Sequence, residues 1–251
     1  MIDPSWLHML LLALVGVMAG VLNVLAGGGS LLTLPLLIFM GLPAATANGT
    51  NRIAILVQNL FAITGFHRLG VLSWRLALLC ATPAVVGSYF GARLAVQIDD
   101  ALFQKLLAGI MLGVLALTLW DPAKRLQGRA LQLSAGRIAV LLASFFAIGV
   151  YGGFVQAGVG FLIIAGLLFQ GLDLVQTNAV KVTVVFFFTV IALGVFIRHG
   201  QVNYQLGLSL AAGNAAGGWL AAHLAVKKGH TWMKRVVSLA VAVFAVKLLL
   251  G

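Results

Sequence analysis

The sequence predicts an all-α polytopic membrane protein made of two inverted-topology repeats, each a glycine-broken helical hairpin plus three spanning helices. Three observations lead there. Of 251 residues, 62% are hydrophobic and 8% charged, against about 25% charged in an ordinary soluble domain, so the chain cannot clothe a water-facing surface. The apolar residues fall in runs near the length that a bilayer demands, about 20 residues. The sequence also matches itself at a shift of about 130 residues. A mean hydropathy of +1.10 excludes a soluble enzyme, a nucleic-acid binder and a disordered chain. The net charge of +11 does not argue for nucleic acid, because Lys and Arg cluster between apolar runs.

The elements follow in order. Trp6–Ala26 begins after Asp3 rather than a basic stretch and shows no small-residue cleavage pattern, so it is a retained span and not a signal peptide. Leu31–Met40 follows a glycine turn and reaches only about 15 Å, half a bilayer core. Ala44–Gly65, Leu76–Val96 and Ala101–Trp120 complete a first repeat over 1–120. The one long polar connector, Asp121–Arg137, marks a cytoplasmic linker at 121–137. A second repeat, 138–251, holds Ile138–Val155, the short run Phe161–Phe169, then Leu174–Phe196, Leu206–Val226 and Trp232–Leu250. Trp6, Trp74, Trp120 and Trp232 stand at run ends, as interfacial aromatics do. Pro35 and Pro83 are expected to kink their helices. Tyr89 and Trp219, at matching places in the halves, are expected to serve packing.

The self-match superposes Gly28 on Gly158, Phe39-Met40-Gly41-Leu42 on Phe169-Gln170-Gly171-Leu172, and Asn48 on Asn178. Phe66, Arg68 and Gly70 fall on Phe196, Arg198 and Gly200, and Gly87 on Gly217. Placing Arg68/Arg75, Lys124/Arg125/Arg129/Arg137 and Lys227/Lys228/Lys234/Arg235 on the cytoplasmic side satisfies the positive-inside rule. The loop near Arg68 is then inside while its counterpart near Arg198 is outside, so the repeats are inverted, with the N-terminus outside. Each short run is either a re-entrant hairpin arm or a short crossing; both leave this sidedness unchanged. Inverted repeats with broken helices are a mark of secondary transporters, whose substrate site lies where the halves meet.

Two constellations carry chemistry. The first is the pair of turns Gly27-Gly28-Gly29-Ser30 and Gln156-Ala157-Gly158-Val159-Gly160. Successive glycines let backbone N–H groups form a nest, and the helix beginning there adds unpaired N–H groups and about half a positive charge, a combination that binds anions. Close helix packing through small residues is the other reading. The second is a polar stripe, Asn48, Asn51, Arg52, Gln58 and Asn59, at helical spacing, mirrored by Gln176, Thr177, Asn178 and Lys181. A cation inside a bilayer costs at least about 2.5–3.5 kcal/mol. No Asp or Glu lies in these runs to neutralise Arg52 or Lys181: the sequence has no Glu, and its Asp residues stand at run ends. An anionic ligand or cavity water is expected to balance them, unless both snorkel to the interface. His67 and His199 are expected at the interface, and His223 as a packed neighbour. Cys80, the sole cysteine, excludes an intramolecular disulfide and a cysteine-cluster metal site. No metalloprotease, phosphate-loop or Ser/His/Asp pattern is present, so no catalytic residue, metal or cofactor is expected, and an intramembrane enzyme acting on lipid phosphates finds no ligand cluster.

Together these motifs resemble the TauE/SafE sulfite exporter family. The resemblance rests on Ala26-Gly27-Gly28-Gly29-Ser30-Leu31, Gly41-Leu42-Pro43, Ala47–Arg52 and Phe66–Gly70 in the first half. In the second it rests on Gly158-Val159-Gly160, Gly171-Leu172-Asp173 and Thr177–Lys181. It implies a multi-pass carrier of the bacterial inner (plasma) membrane that exports small sulfur-containing anions: sulfite, thiosulfate or organosulfonates such as sulfoacetate. Residues 27–30, Asn48, Asn51, Arg52, Gln156, Gly158, Gly160, Asn178 and Lys181 become the expected anion contacts. The expected partners are that small anion and the lipid bilayer, not nucleic acid, with a homodimer left open. An anion channel, or uptake of the same anions, is the alternative. With no embedded carboxylate for a proton relay, the membrane potential alone favours anion exit, at about 2.3 kcal/mol per charge per 100 mV.

Overall fold

The computed structural model describes residues 6–120 and 135–250, with side-chain surroundings given up to residue 227 except at 111, 114–120, 135 and 169. The described residues are helical and turn structure without strands. The helices are α1 (Trp6–Ala26), α2 (Ser30–Phe39), α3 (Ala44–Arg68), α4 (Trp74–Ala95), α5 (Asp100–Trp120), α6 (Ala135–Phe154), α7 (Val159–Phe169), α8 (Leu174–Arg198) and α9 (Tyr204–Leu250). Of these, α1, α4, α6 and α8 are long and apolar enough to cross a membrane. The turn at 27–29 separates α1 from the ten residues of α2, and its counterpart separates α6 from the 11 of α7, so both short runs are half-length helices. The linker assigned to 121–137 lies mostly outside the described residues; α6 already begins at Ala135 within it.

The predicted spans Leu206–Val226 and Trp232–Leu250 form one helix of 47 residues, about 70 Å long. Between them stand Lys227-Lys228-Gly229-His230-Thr231. This stretch has no proline, and a single glycine costs a helix only about 1 kcal/mol. The second half therefore follows its hairpin with two helices, not three.

The repeat is visible in the backbone. Positive φ occurs at Gly27 (83°), Gly41 (87°) and Gly70 (70°), and again at Gly158 (74°), Gly171 (94°) and Gly200 (68°). Five of these follow a helix end where the chain turns left-handed, and Gly158 stands instead at the N-cap of α7. α3 and α8 both have 25 residues. They pack on each other at the centre, α3 also against α9 and α8 also against α4, while α1 pairs with α9 and α6 with α4. The opening helix of each half thus packs on a late helix of the other, so the halves interlock.

Glycines set the closeness of those pairings. Gly213 and Gly217 of α9 meet the carbonyls of Ala13 and Val17, and Gly87 and Gly91 of α4 meet those of Phe146 and Val150. The outward faces carry exposed Trp6, Leu10, Leu14, Leu78, Phe90 and Leu208, a surface that suits lipid rather than water. Tyr89 and Trp219, expected to serve packing, are 41% and 46% exposed. Their rings lean on Phe90 and His223 from this outer face. Pro35 and Pro83 lie inside α2 and α4.

The two central helices start differently. Asp173 accepts from Val175 N–H at 2.8 Å and Gln176 N–H at 3.0 Å, a side-chain N-cap for α8. Pro43 stands at the matching place before α3, and Asp100 of α5 accepts from Ala44 N–H instead. Asp173→Ala is expected to lower stability by about 1 kcal/mol, within the range for lost caps. Asp173→Asn keeps the acceptor and most of that stability, as thermal unfolding in detergent will measure.

Candidate functional site

The site begins with a physical demand. A helix broken inside a membrane leaves up to four carbonyls without partners at its C-terminal end and four N–H groups at the next N-terminus, and there is no water to satisfy them. Here α1 and α6 end, and α2 and α7 begin, in the interior.

The carbonyl ends are satisfied by the two embedded cations, each from the opposite half. Arg52 of α3 is fully buried. Its Nη1 donates to Gly152 O and to Gln156 Oε1, both at 3.0 Å, and its Nη2 to Gly153 O at 2.6 Å. The guanidinium lies over the Phe196 ring, 4.8 Å from its centroid. Lys181 of α8 is 2% exposed. Its ammonium donates to Asn23 O (2.8 Å), Val24 O (2.6 Å) and Asn178 Oδ1 (2.6 Å), which occupies all three N–H groups. Neither side chain snorkels. Each cation also sits on a helix C-terminus carrying about half a negative charge, which offsets part of its own. Arg52 Nε is buried with no partner.

The amides of the stripe tie the turns down. Asn48 donates from Nδ2 to Phe154 O at 2.9 Å and accepts from Gln156 N–H at 3.3 Å, holding the second turn from both sides. Asn51 donates to Ser30 Oγ at 3.1 Å and accepts from Thr33 Oγ1 at 2.7 Å, which pins the first turn of α2. Asn178 serves its own helix and Lys181, donating to Leu174 O at 2.9 Å. Gln176, expected in the same stripe, lies on the exposed face of the first turn of α8, whose Leu174 and Thr177 are buried.

The N-terminal ends carry no side-chain cap. After the first turn, hydrogen bonding resumes with Leu31 N–H to Gly28 O at 3.0 Å, and after the second with Phe161 N–H to Gly158 O at 3.0 Å. The N–H groups of Gly28, Gly29 and Ser30 therefore head α2, and those of Gly158, Val159 and Gly160 head α7. The two turns touch through backbone: a Cβ on Gly27 would stand 2.5 Å from the Cα of Gly160. Gly28 faces the Phe161 ring. All the predicted contacts, Gly27, Gly28, Gly29, Ser30, Asn48, Asn51, Arg52, Gln156, Gly158, Gly160, Asn178 and Lys181, are buried. The geometry joins them into one network about the two turns.

Sequence reasoning missed Thr33, Asn23 and Asn214, and the backbone carbonyls that receive the cations. Asn23 and Asn214, amides within apolar runs, were the available signal. His67 and His199 are exposed, and His223 is partly buried against Trp219 O, 2.9 Å from Nδ1. Asp99, Asp100 and Asp173 stand at helix starts, so among the described residues no carboxylate enters the network.

Comparison with known proteins finds relatives over nearly the whole chain. The sequence model of the sulfite exporter TauE/SafE family matches residues 12–248. A probable membrane transporter protein of Haemophilus influenzae is 29% identical over 224 residues, covering 89% of this chain and 87% of its own. The probable membrane transporter protein YfcA of Escherichia coli is 27% identical, with 99% and 91% covered. YdhB of Bacillus subtilis, described in the same words, is 26% identical, with 97% and 99% covered. No solved structure matches.

Proposed function

Because the chain belongs to the sulfite exporter TauE/SafE family, and is a multi-pass membrane transporter on that ground, we propose that it exports small sulfur-containing anions by alternating access. The substrate class is sulfite, thiosulfate or an organosulfonate such as sulfoacetate, carried across a bacterial inner membrane. One observation carries the reading. Two half-length helices open in the interior without side-chain caps, at turns in backbone contact, beside two buried cations and, among the described residues, no carboxylate.

Such helix starts favour an anion by about 0.3–1 kcal/mol each when exposed, and up to about 2 kcal/mol when partly buried. Arg52 and Lys181 act here at one remove. By neutralising the ends of α6 and α1 they remove the negative poles that would repel an anion near the turns. Ser30, Asn51 and Gln156 contribute further hydrogen-bonding groups. The paired positive-φ glycines and interlocked helices support an inverted-repeat origin, with the anion held where the halves meet. The membrane potential supplies the drive for export.

Proteoliposomes loaded with labelled sulfite or thiosulfate test the proposal. Efflux is expected to saturate, to show counterflow and to accelerate when the interior is made negative. Flux that rises linearly with concentration and shows no counterflow would indicate a channel. No flux of any sulfur oxyanion would refute the substrate class.

A further inference from the structure

A second set of polar groups lies outside the turn network and on one side only. Gln58 of α3 and Asn214 of α9 are both fully buried. Gln58 Oε1 accepts from Asn23 Nδ2 at 3.2 Å and from Asn214 Nδ2 at 3.3 Å. Gln58 Nε2, with both its hydrogens, and Asn214 Oδ1 are buried without a partner. Exchanging the two ends of the Gln58 amide alone would set a donor against two donors, and turning all three amides together only exchanges which end of each is left over, so Gln58 and Asn214 keep one unpartnered donor and one unpartnered acceptor between them either way. A buried amide N–H in a bilayer interior requires an acceptor, and none of the described residues supplies one.

The repeat shows that the fold does not need amides here. At the shift of about 130 residues, Gln58 corresponds to Phe188, Asn214 to Ala84 and Asn23 to Gly153. In that half Phe188 and Ala84 are fully buried, with Ser88 Oγ donating to Phe188 O at 3.2 Å. The amide set is therefore an addition to one half and not a requirement of the helix crossing. It connects to the turns: Asn23 O also accepts from Lys181, and Asn23 Cβ packs against Gly29. Along α3, Gln58 lies about 9 Å beyond Arg52 toward Arg68.

We propose that Gln58, Asn214 and Asn23 form a neutral transit station for the oxyanion, between the turns and the Arg68 end of α3. Gln58 Nε2 donates to an oxygen of the passing anion. The station rests on the proposed function and specifies one side of its path. Having no formal charge, it binds weakly enough for the anion to leave, as conduction through successive sites requires. Asn214 Oδ1 accepts from the water that travels with the anion.

Gln58→Met keeps the length of the side chain and removes the donor; Asn214→Ala places the residue of the other half at its counterpart. Sulfite efflux from proteoliposomes is measured for both, with the thermal midpoint of each purified variant. The expected result is a half-saturating sulfite concentration raised about tenfold or more in Gln58→Met, the size of a lost hydrogen bond to a charged group, and raised less in Asn214→Ala, where Gln58 loses the amide that positions it. The midpoint of Gln58→Met falls, because Asn23 Nδ2 and Asn214 Nδ2 lose their acceptor. A purely structural amide set predicts a lowered midpoint with wild-type half-saturation in both variants, and that result overturns the station. If Gln58→Met fails to fold, Asn214→Ala decides by the same two readouts. Wild-type protein that carries no sulfur oxyanion refutes the proposed function itself, and the station with it. Saturable wild-type flux with unchanged variants refutes the station alone.

Discussion

Arg52→Ala is expected to abolish transport and to lower stability by about 3–5 kcal/mol, the range for removing one partner from a buried charged network. The guanidinium donates to Gly152 O and Gly153 O, and it also holds Gln156. Without it two carbonyls at the end of α6 face the membrane interior unpaired, each at about 1–3 kcal/mol. Against a total of about 5–15 kcal/mol, such a loss removes a large part of the folded population. Arg52→Lys restores the charge but not the fork that reaches two carbonyls and an amide at once, so its thermal midpoint should fall between. Lys181→Ala should behave like Arg52→Ala, since Asn23 O and Val24 O lose the same kind of donor at the end of α1. Thermal unfolding in detergent and efflux from proteoliposomes check all three. Wild-type midpoint and wild-type flux in Arg52→Ala would show that the helix end needs no such support.

The second large effect is expected at the crossing of the turns. A Cβ on Gly27 would meet Gly160 Cα at 2.5 Å, and a Cβ on Gly160 would meet backbone atoms of Gly27 in return. Both neighbours are backbone, so no side chain can swing away. Overpacking of this kind costs about 1–3 kcal/mol, and Gly27→Ala adds about 1–2 kcal/mol for a left-handed φ of 83°. Gly160→Ala should therefore stop flux by forcing the turns apart, and Gly27→Ala should also fold poorly. Gly194→Ala is the control, because its Cβ would meet nothing within 4 Å in the interior of α8. It should be neutral or stabilising by up to about 1 kcal/mol. Equal flux in Gly160→Ala and Gly194→Ala would remove the crossing from the mechanism.

How much of this was legible in the sequence depends on where each signal resides. Helix positions were carried by apolar run lengths and by Gly27, Gly41, Gly158 and Gly171, whose local preferences act within a few residues. The burial of Arg52 and Lys181 followed from their depth inside those runs. Their partners did not follow. The sequence directs attention to Asp and Glu as counter-charges, whereas the groups that balance these cations are main-chain carbonyls of Gly152, Gly153, Asn23 and Val24. Any residue type presents the same carbonyl, so no pattern marks it. Thr33 was invisible for a related reason: a threonine in an apolar run reads as a tolerated helix residue until Asn51 is seen opposite it. The continuity of α9 was misjudged because a basic cluster reads as a loop, although its residues form helix readily.

The central claim is that two cations, each crossing from one half to the other, leave the N-termini of α2 and α7 exposed to an anion at the crossing of the turns. Equilibrium binding of labelled thiosulfate and sulfite to purified wild-type protein tests it most directly, with competition by sulfate, sulfoacetate and taurine. One saturable anion per chain, displaced by the other sulfur oxyanions and weakened in Ser30→Ala and Gly160→Ala, is the predicted result. Folded protein that binds none of them, or binds them equally well in Gly160→Ala, would contradict it.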